Sequence, residues 1–117
     1  MESKELAFAA AKALDARKGF DIQIIDIAGK SSFADYFVLA SAKSMRQLQA
    51  LAFETEDELA KLEICVRSIE GKGESGWILM DFGDVIINIF TEAQRAKYNI
   101  EKIWGDCPIE NYIGEEK

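Results

Sequence analysis

The apolar positions of this chain fall into helix-spaced stripes, short continuous runs and one stretch of strict alternation. Between residues 3 and 18, Leu6, Ala9, Ala10, Ala13 and Leu14 share one stripe of an amphipathic helix, which Gly19 ends. Ile22 to Ile27 is a short, nearly all-apolar run, and Asp35 to Ala42 (DYFVLASA) is another; both predict buried strands, joined by a Gly29-Lys30-Ser31-Ser32 loop. Ser44 caps a long helix to about Glu63, with Leu48, Leu51, Ala52, Thr55, Leu59 and Leu62 facing inward. Cys65 to Ile69 predicts a third strand, so that strand, helix and strand form a parallel right-handed crossover.

The alternating stretch, GWILMDFGDVIINIF, predicts a β-hairpin with two greasy faces. A glycine at the first central position suits a type II′ turn at Gly83-Asp84. That turn sets Phe82 opposite Val85, Met80 opposite Ile87 and Ile78 opposite Ile89, a face that reads as core. The other face pairs Trp77 with Phe90, Leu79 with Asn88 and Asp81 with Ile86. It is apolar but studded with polar groups, as binding surfaces are, unless a helix of the same chain covers it. Thr91-Glu92-Ala93-Gln94 then matches a capping box, threonine and glutamine each satisfying a free amide. The following helix or helix pair runs to Trp104, with Ile100, Ile103 and Trp104 on one side, and Gly105 and Pro108 stop it. Residues 1–108 form one domain and 109–117 an acidic tail. The order α-β-β-α-β-β-β-α predicts one α/β domain: a mixed five-stranded sheet flanked by helices.

Composition narrows the function. The 117 residues carry a net charge of −7, which argues against charge-driven binding to nucleic acid or anionic lipid and favours a basic protein as partner. No apolar run approaches the ~20 residues of a membrane span. Glu2 and Glu5 stand where a secretory signal would be basic, so the expected location is the cytoplasm. Cys65 and Cys107 read as idle thiols in a reducing compartment, Cys65 within a strand. The chain has no histidine, which removes Ser-His-Asp and Cys-His nucleophile systems and histidine metal sites.

Short motifs add little. Gly71-Lys72-Gly73-Glu74-Ser75-Gly76 has the letters of a dinucleotide fingerprint, but it leads into a strand rather than a helix. Gly29-Lys30-Ser31 resembles the end of a phosphate-binding loop, yet Ile24 occupies the position of the required earlier glycine. Asp35, Asp81 and Asp84 are candidate cation ligands, although turn aspartates are common for backbone reasons alone. The aromatic set Trp77, Phe90, Tyr98 and Trp104 carries more weight, since Trp and Tyr anchor interfaces. Arg95, Lys97, Glu101 and Lys102 surround Tyr98 and place it at the surface, whereas Trp104 reads as core or as a helix-end anchor.

The segments Asp35-Tyr36-Phe37-Val38 with Ser41, Arg46-Gln47, Glu70-Gly71, Trp77-Ile78-Leu79, Asp81-Phe82-Gly83-Asp84-Val85 and Tyr98-Asn99-Ile100-Glu101-Lys102-Ile103-Trp104-Gly105-Asp106 resemble the Iojap/RsfS family of ribosomal silencing factors. The likeness runs from about Leu6 to Pro108. It implies a nucleotidyltransferase-like fold used for binding: docking on the large ribosomal subunit through ribosomal protein number fourteen, at the surface where the small subunit joins. Joining is then blocked and translation falls when nutrients run short. Homodimers are also implied. Asp35-Tyr36-Phe37 offers one acid where a nucleotidyltransferase strand pairs two, so two-metal chemistry is unsupported. Two departures stand out: Asn88 replaces the usual histidine near the end of the last strand, and Met45 follows the serine that starts the long helix.

The expectation is therefore a non-catalytic translation regulator with no cofactor, no metal, no membrane partner and little direct RNA contact. Trp77, Leu79, Asp81, Tyr98 and Lys102 carry docking, with Lys72 nearby on the loop. The alternatives are a minimal Mg²⁺-dependent nucleotidyltransferase using Asp35 with Asp81 or Asp84, and a homodimeric adaptor that buries the hairpin face.

Overall fold

Residues 2–71 and 75–113 are described by the structure, a computed structural model. The first helix, α1 (Ser3–Ala16), begins where the Glu5 carboxylate accepts the Glu2 amide at 3.0 Å. It buries Leu6 and Leu14 together with Ala7, Ala10 and Ala11, whose small side chains let the helix lie close to the sheet. Lys18 takes a left-handed φ of 72°, and the chain turns through Gly19 into β1 (Phe20–Asp26) and then β2 (Tyr36–Ala42). The Ser44 hydroxyl accepts the Gln47 amide at 3.1 Å and starts α2 (Met45–Lys61), which buries Leu48, Leu51, Ala52, Thr55 and Leu59. Leu62 lies past the last turn and is half exposed, so it leaves the predicted stripe.

The sheet continues with β3 (Ser68–Glu70), β4 (Trp77–Asp81) and β5 (Val85–Thr91). Two short helices follow, α3 (Glu92–Tyr98) and α4 (Ile100–Ile103), and then β6 (Ile109–Asn111). The spatial order is β3-β4-β5-β2-β1-β6; β2 pairs β5 in parallel and every other neighbour is antiparallel. The sheet is thus mixed, as predicted, but has six strands rather than five. The sixth lies in the stretch read as tail and pairs with β1, where Gln23 Nε2 donates to Asn111 Oδ1 at 3.0 Å. Its three residues are all exposed and carry no alternation to read. The third strand is also shorter than expected. Cys65 precedes it and is exposed, whereas the other free thiol, Cys107, is buried. The crossover from β2 through α2 reaches β3 in the same direction, but β5 and β4 lie between them.

Each side of the sheet has its own core. Helices α1 and α2 pack on Ile24, Val38, Ala40, Ile78, Met80, Ile87 and Ile89. The opposite face presents Ile25, Phe37, Leu39, Ile86 and Phe90, against which Cys107, Ile100 and Trp104 pack from the C-terminal segments. Among the described residues, no helix is long and apolar enough to cross a membrane.

Candidate functional site

The hairpin has the register its alternation predicts. Trp77 faces Phe90, Ile78 faces Ile89, Leu79 faces Asn88, Met80 faces Ile87 and Asp81 faces Ile86. The Phe82 amide donates to Val85 O at 2.9 Å across the turn, and Gly83 takes φ 93°, open to a residue without Cβ. Asp81 Oδ1 accepts the Gly83 amide at 2.7 Å, so this carboxylate braces the turn from the edge of the Trp77–Leu79 face.

A helix of the same chain covers that face in part. Thr91 caps α3 by accepting the Gln94 amide at 3.4 Å. The reciprocal half of the predicted capping box is not made: Gln94 Oε1 is buried with no partner among the described residues. The side chain packs instead over Gly76, where a built Cβ would lie 2.4 Å from Gln94 Cγ. Tyr98, the last residue of α3, lands on the hairpin. Its ring lies 4.9 Å from the Trp77 ring and 5.9 Å from that of Phe90, while Trp77 and Phe90 stack at 5.3 Å. Phe90 is buried, Trp77 and Leu79 are half-buried, and Tyr98 remains 46% exposed, so three rings form a cluster open to solvent on one side. Beside it, Glu70, Gly71, Ser75, Trp77 and Leu79 border a shallow groove of about 210 Å³.

The structure thus brings Trp77 and Tyr98 into ring contact, with Leu79 beside Trp77 on the groove, while Asp81 lies at the turn end of the same strand, opposite Ile86. Lys102 is exposed on α4, with no side-chain hydrogen bond or ion pair to the cluster among the described residues, and Lys72 lies outside the described residues. Asn99 at φ 48° breaks the helix between Tyr98 and Lys102. Trp104 packs edge-on against Phe37 at 5.4 Å, a core role, but Ile103, expected beside it, is 67% exposed.

Two buried polar residues were not assigned roles from the sequence. Asn88 Oδ1 accepts the Trp77 indole N–H at 3.0 Å. Arg95, 8% exposed, donates to the Asp21 carbonyl, to Ser41 Oγ at 2.9 Å and to Gln23 Oε1 at 3.1 Å, pinning α3 to β1 and β2. Charge in a short surface helix reads as solvent-facing; only its position one turn before Tyr98 marks Arg95 as able to point the same way.

The candidate acids do not converge. Asp35 Oδ2 accepts from Ser3 Oγ at 2.9 Å, Asp81 braces its turn, and the Asp84 carbonyl accepts the Asp35 and Tyr36 amides. No group of three or more His, Cys, Asp or Glu able to hold a metal occurs among the described residues. Burial, then the nearby carboxylates of Asp26, Asp35 and Glu110, raise the Tyr36 phenol above its ordinary pKa, which keeps it protonated.

The hairpin and α3 thus assemble a half-open aromatic cluster at the surface of an α/β domain. The chain belongs to the ribosomal silencing factor family, whose sequence model, described as "Ribosomal silencing factor during starvation", matches residues 1–117. It is 39% identical over 109 residues to the ribosomal silencing factor RsfS of Bacillus subtilis, covering 93% of this chain and 92% of that one. A crystal structure of a Chromobacterium violaceum protein superposes with TM-score 0.87 at 32% identity, covering 100% of this chain and 98% of the other. A mouse relative named mitochondrial assembly of ribosomal large subunit protein 1 is 33% identical over 89 residues, covering 72% of this chain and 38% of the relative.

Proposed function

We propose that this chain represses translation by docking its hairpin face on the large ribosomal subunit and blocking small-subunit joining by occlusion. The observation that carries this reading is the half-open Trp77–Phe90–Tyr98 cluster, an anchor-like surface on a member of a family named for ribosome silencing. The name of the mouse relative supports the large subunit as the side on which to look. Ribosomal protein number fourteen, the partner implied by the family likeness, is the specific target we assign. Trp77 and Leu79 fill an apolar patch on it, Tyr98 adds ring burial and a hydroxyl hydrogen bond, and Asp81 and Lys102 supply charge complementarity, with Lys72 nearby in sequence. No catalytic step and no cofactor enter this mechanism. The expected setting is the cytoplasm, and the expected free form is a homodimer.

The test is co-sedimentation with isolated ribosomal subunits at low and physiological salt. Stoichiometric pelleting with the large subunit alone, surviving physiological salt, is the expected result. Replacing Trp77 by alanine removes a central anchor and should weaken binding by at least about 2 kcal/mol, roughly thirtyfold. A folded Trp77→Ala protein that binds as tightly as the parent would refute the site. Light scattering on Trp77→Ala and Tyr98→Ala separates docking from self-association: loss of a dimer with ribosome binding retained would favour the adaptor alternative.

A further inference from the structure

Asn88 is 1% exposed in the middle of the sheet, between Leu79 on β4 and Leu39 on β2. An indole nitrogen only donates, so the 3.0 Å contact with Trp77 fixes the amide oxygen toward the ring. The amide nitrogen then points away, and it has no partner among the described residues. A half-satisfied polar group in a core is costlier than an apolar side chain of similar size. Packing therefore gives no reason for an asparagine here. Its single hydrogen bond does.

We infer that Asn88 is the positioning residue of the docking surface: it holds the Trp77 indole with its N–H turned into the protein, leaving carbon atoms outward. The stack on Phe90, 18° from parallel, and the Tyr98 contact restrict the ring further, so the anchor is set before any partner arrives. This also defines the partner. The Trp77 N–H is already bonded, so the receiving patch needs no acceptor for it and is an apolar depression on a protein. The docking role rests on the function proposed above; the orientation of the indole does not.

The test reads the two separately. In the free full-length protein, hydrogen exchange of the indole N–H groups is followed by nuclear magnetic resonance, and large-subunit binding is measured in parallel. Asn88→Leu keeps the size and removes the acceptor; Asn88→His keeps an acceptor while its ring is neutral. The expected result is a Trp77 indole N–H protected in the parent, exchanging at least about tenfold faster in Asn88→Leu and protected again in Asn88→His, with affinity falling about tenfold and recovering in step. In Asn88→His, protection and affinity should be lost together as the pH falls through the imidazole pKa, since imidazolium cannot accept. Unchanged exchange in a folded Asn88→Leu overturns the positioning role, and faster exchange with parental affinity overturns its connection to docking. If Asn88→Leu does not fold, the pH series on Asn88→His decides in its place. If the parent itself does not pellet with the large subunit, the docking reading falls, and the exchange data still decide whether Asn88 orients the ring.

Discussion

Arg95 places a guanidinium under a short helix where the sheet offers neutral oxygens: the Asp21 carbonyl, Ser41 and Gln23. Asp21 itself has φ 50°, at a register shift in β1, so the arginine grips the chain where the ladder with β2 is interrupted. Arg95→Met retains the aliphatic stem and deletes the donors. It should lower unfolding stability by about 1.5–3 kcal/mol, seen as a lower urea midpoint, because hydrogen bonds to a charged group are strong and Ser41 Oγ, one of the three partners, would stay buried. It should also loosen Tyr98, one turn on. A variant with the parental midpoint would mean that the grip contributes nothing. This residue shows where sequence reading fails locally: hydrophobic spacing finds Trp77 and Leu79 directly, but it assigns every charged residue to solvent, and so hides an inward arginine. Asn88 was legible only as a departure from a family pattern, because a polar residue opposite Leu79 gives no sign of the bond it makes.

Among the elements, the β4–β5 hairpin was readable to the residue, since a glycine turn and two alternating faces admit one register. The edges were not. The sequence predicts β3 at Cys65 to Ile69, but it pairs only over Ser68–Glu70, and β6 falls in the stretch that reads as tail; both are three residues and exposed throughout, so burial does not mark their bounds. Two glycines beside the hairpin make contrasting predictions. A Cβ on Gly83 would meet only the flexible Arg67 side chain, Nη1 at 3.3 Å and Cδ at 3.5 Å, so Gly83→Ala carries chiefly the cost of its φ, about 1–2 kcal/mol. A Cβ on Gly71 would sit 2.2 Å from the Trp77 carbonyl, which no rotamer relieves. Gly71→Ala should therefore lower the urea midpoint further than Gly83→Ala, and it alone should weaken ribosome binding by displacing Trp77. Equal effects would show that the close approach is dispensable.

The C-terminal segment carries its own clamp. Lys30, in the loop after β1, pairs with Asp106, just ahead of β6. Hydrogen bonding to the partner is the largest cause of both shifts, raising the lysine pKa and lowering that of the aspartate. For Asp106, depressed in the folded state, the contribution is present above its unfolded pKa and disappears as pH falls through the folded one. For Lys30, raised in the folded state, it is present below the unfolded pKa and disappears as pH rises through the folded one. Between those limits the pair is constant. Both groups are exposed, so the effect is local: protection of the Asp26 amide, which donates to Pro108 O, should drop below about pH 4 and also in high salt. Protection that holds in both conditions would show that β6 is secured by its strand pairing alone.

At the scale of the whole molecule, the sheet has one face sealed by two long helices and another closed by short segments that leave an aromatic opening. The class and most of the topology followed from periodicity, because two cores on two sides of a sheet require that pattern of stripes and runs. The opening did not follow, because its extent depends on where Asn99 turns the chain after Tyr98. In the docking proposed above, an acidic body, net −7, around an apolar anchor assigns different steps to different forces. Charge acts at a distance and is screened over ~10 Å at 0.1 M salt, whereas the ring contacts act only after encounter. Raising ionic strength from about 50 to 300 mM should slow association with the isolated ribosomal protein, the basic partner proposed, by about tenfold or more while leaving dissociation nearly unchanged. Trp77→Ala should do the reverse, speeding dissociation at every salt concentration. Stopped-flow measurement of both rates distinguishes the two contributions. If salt instead acted mainly on dissociation, charge pairs rather than the ring contacts would hold the complex together, and the aromatic cluster would not be its centre.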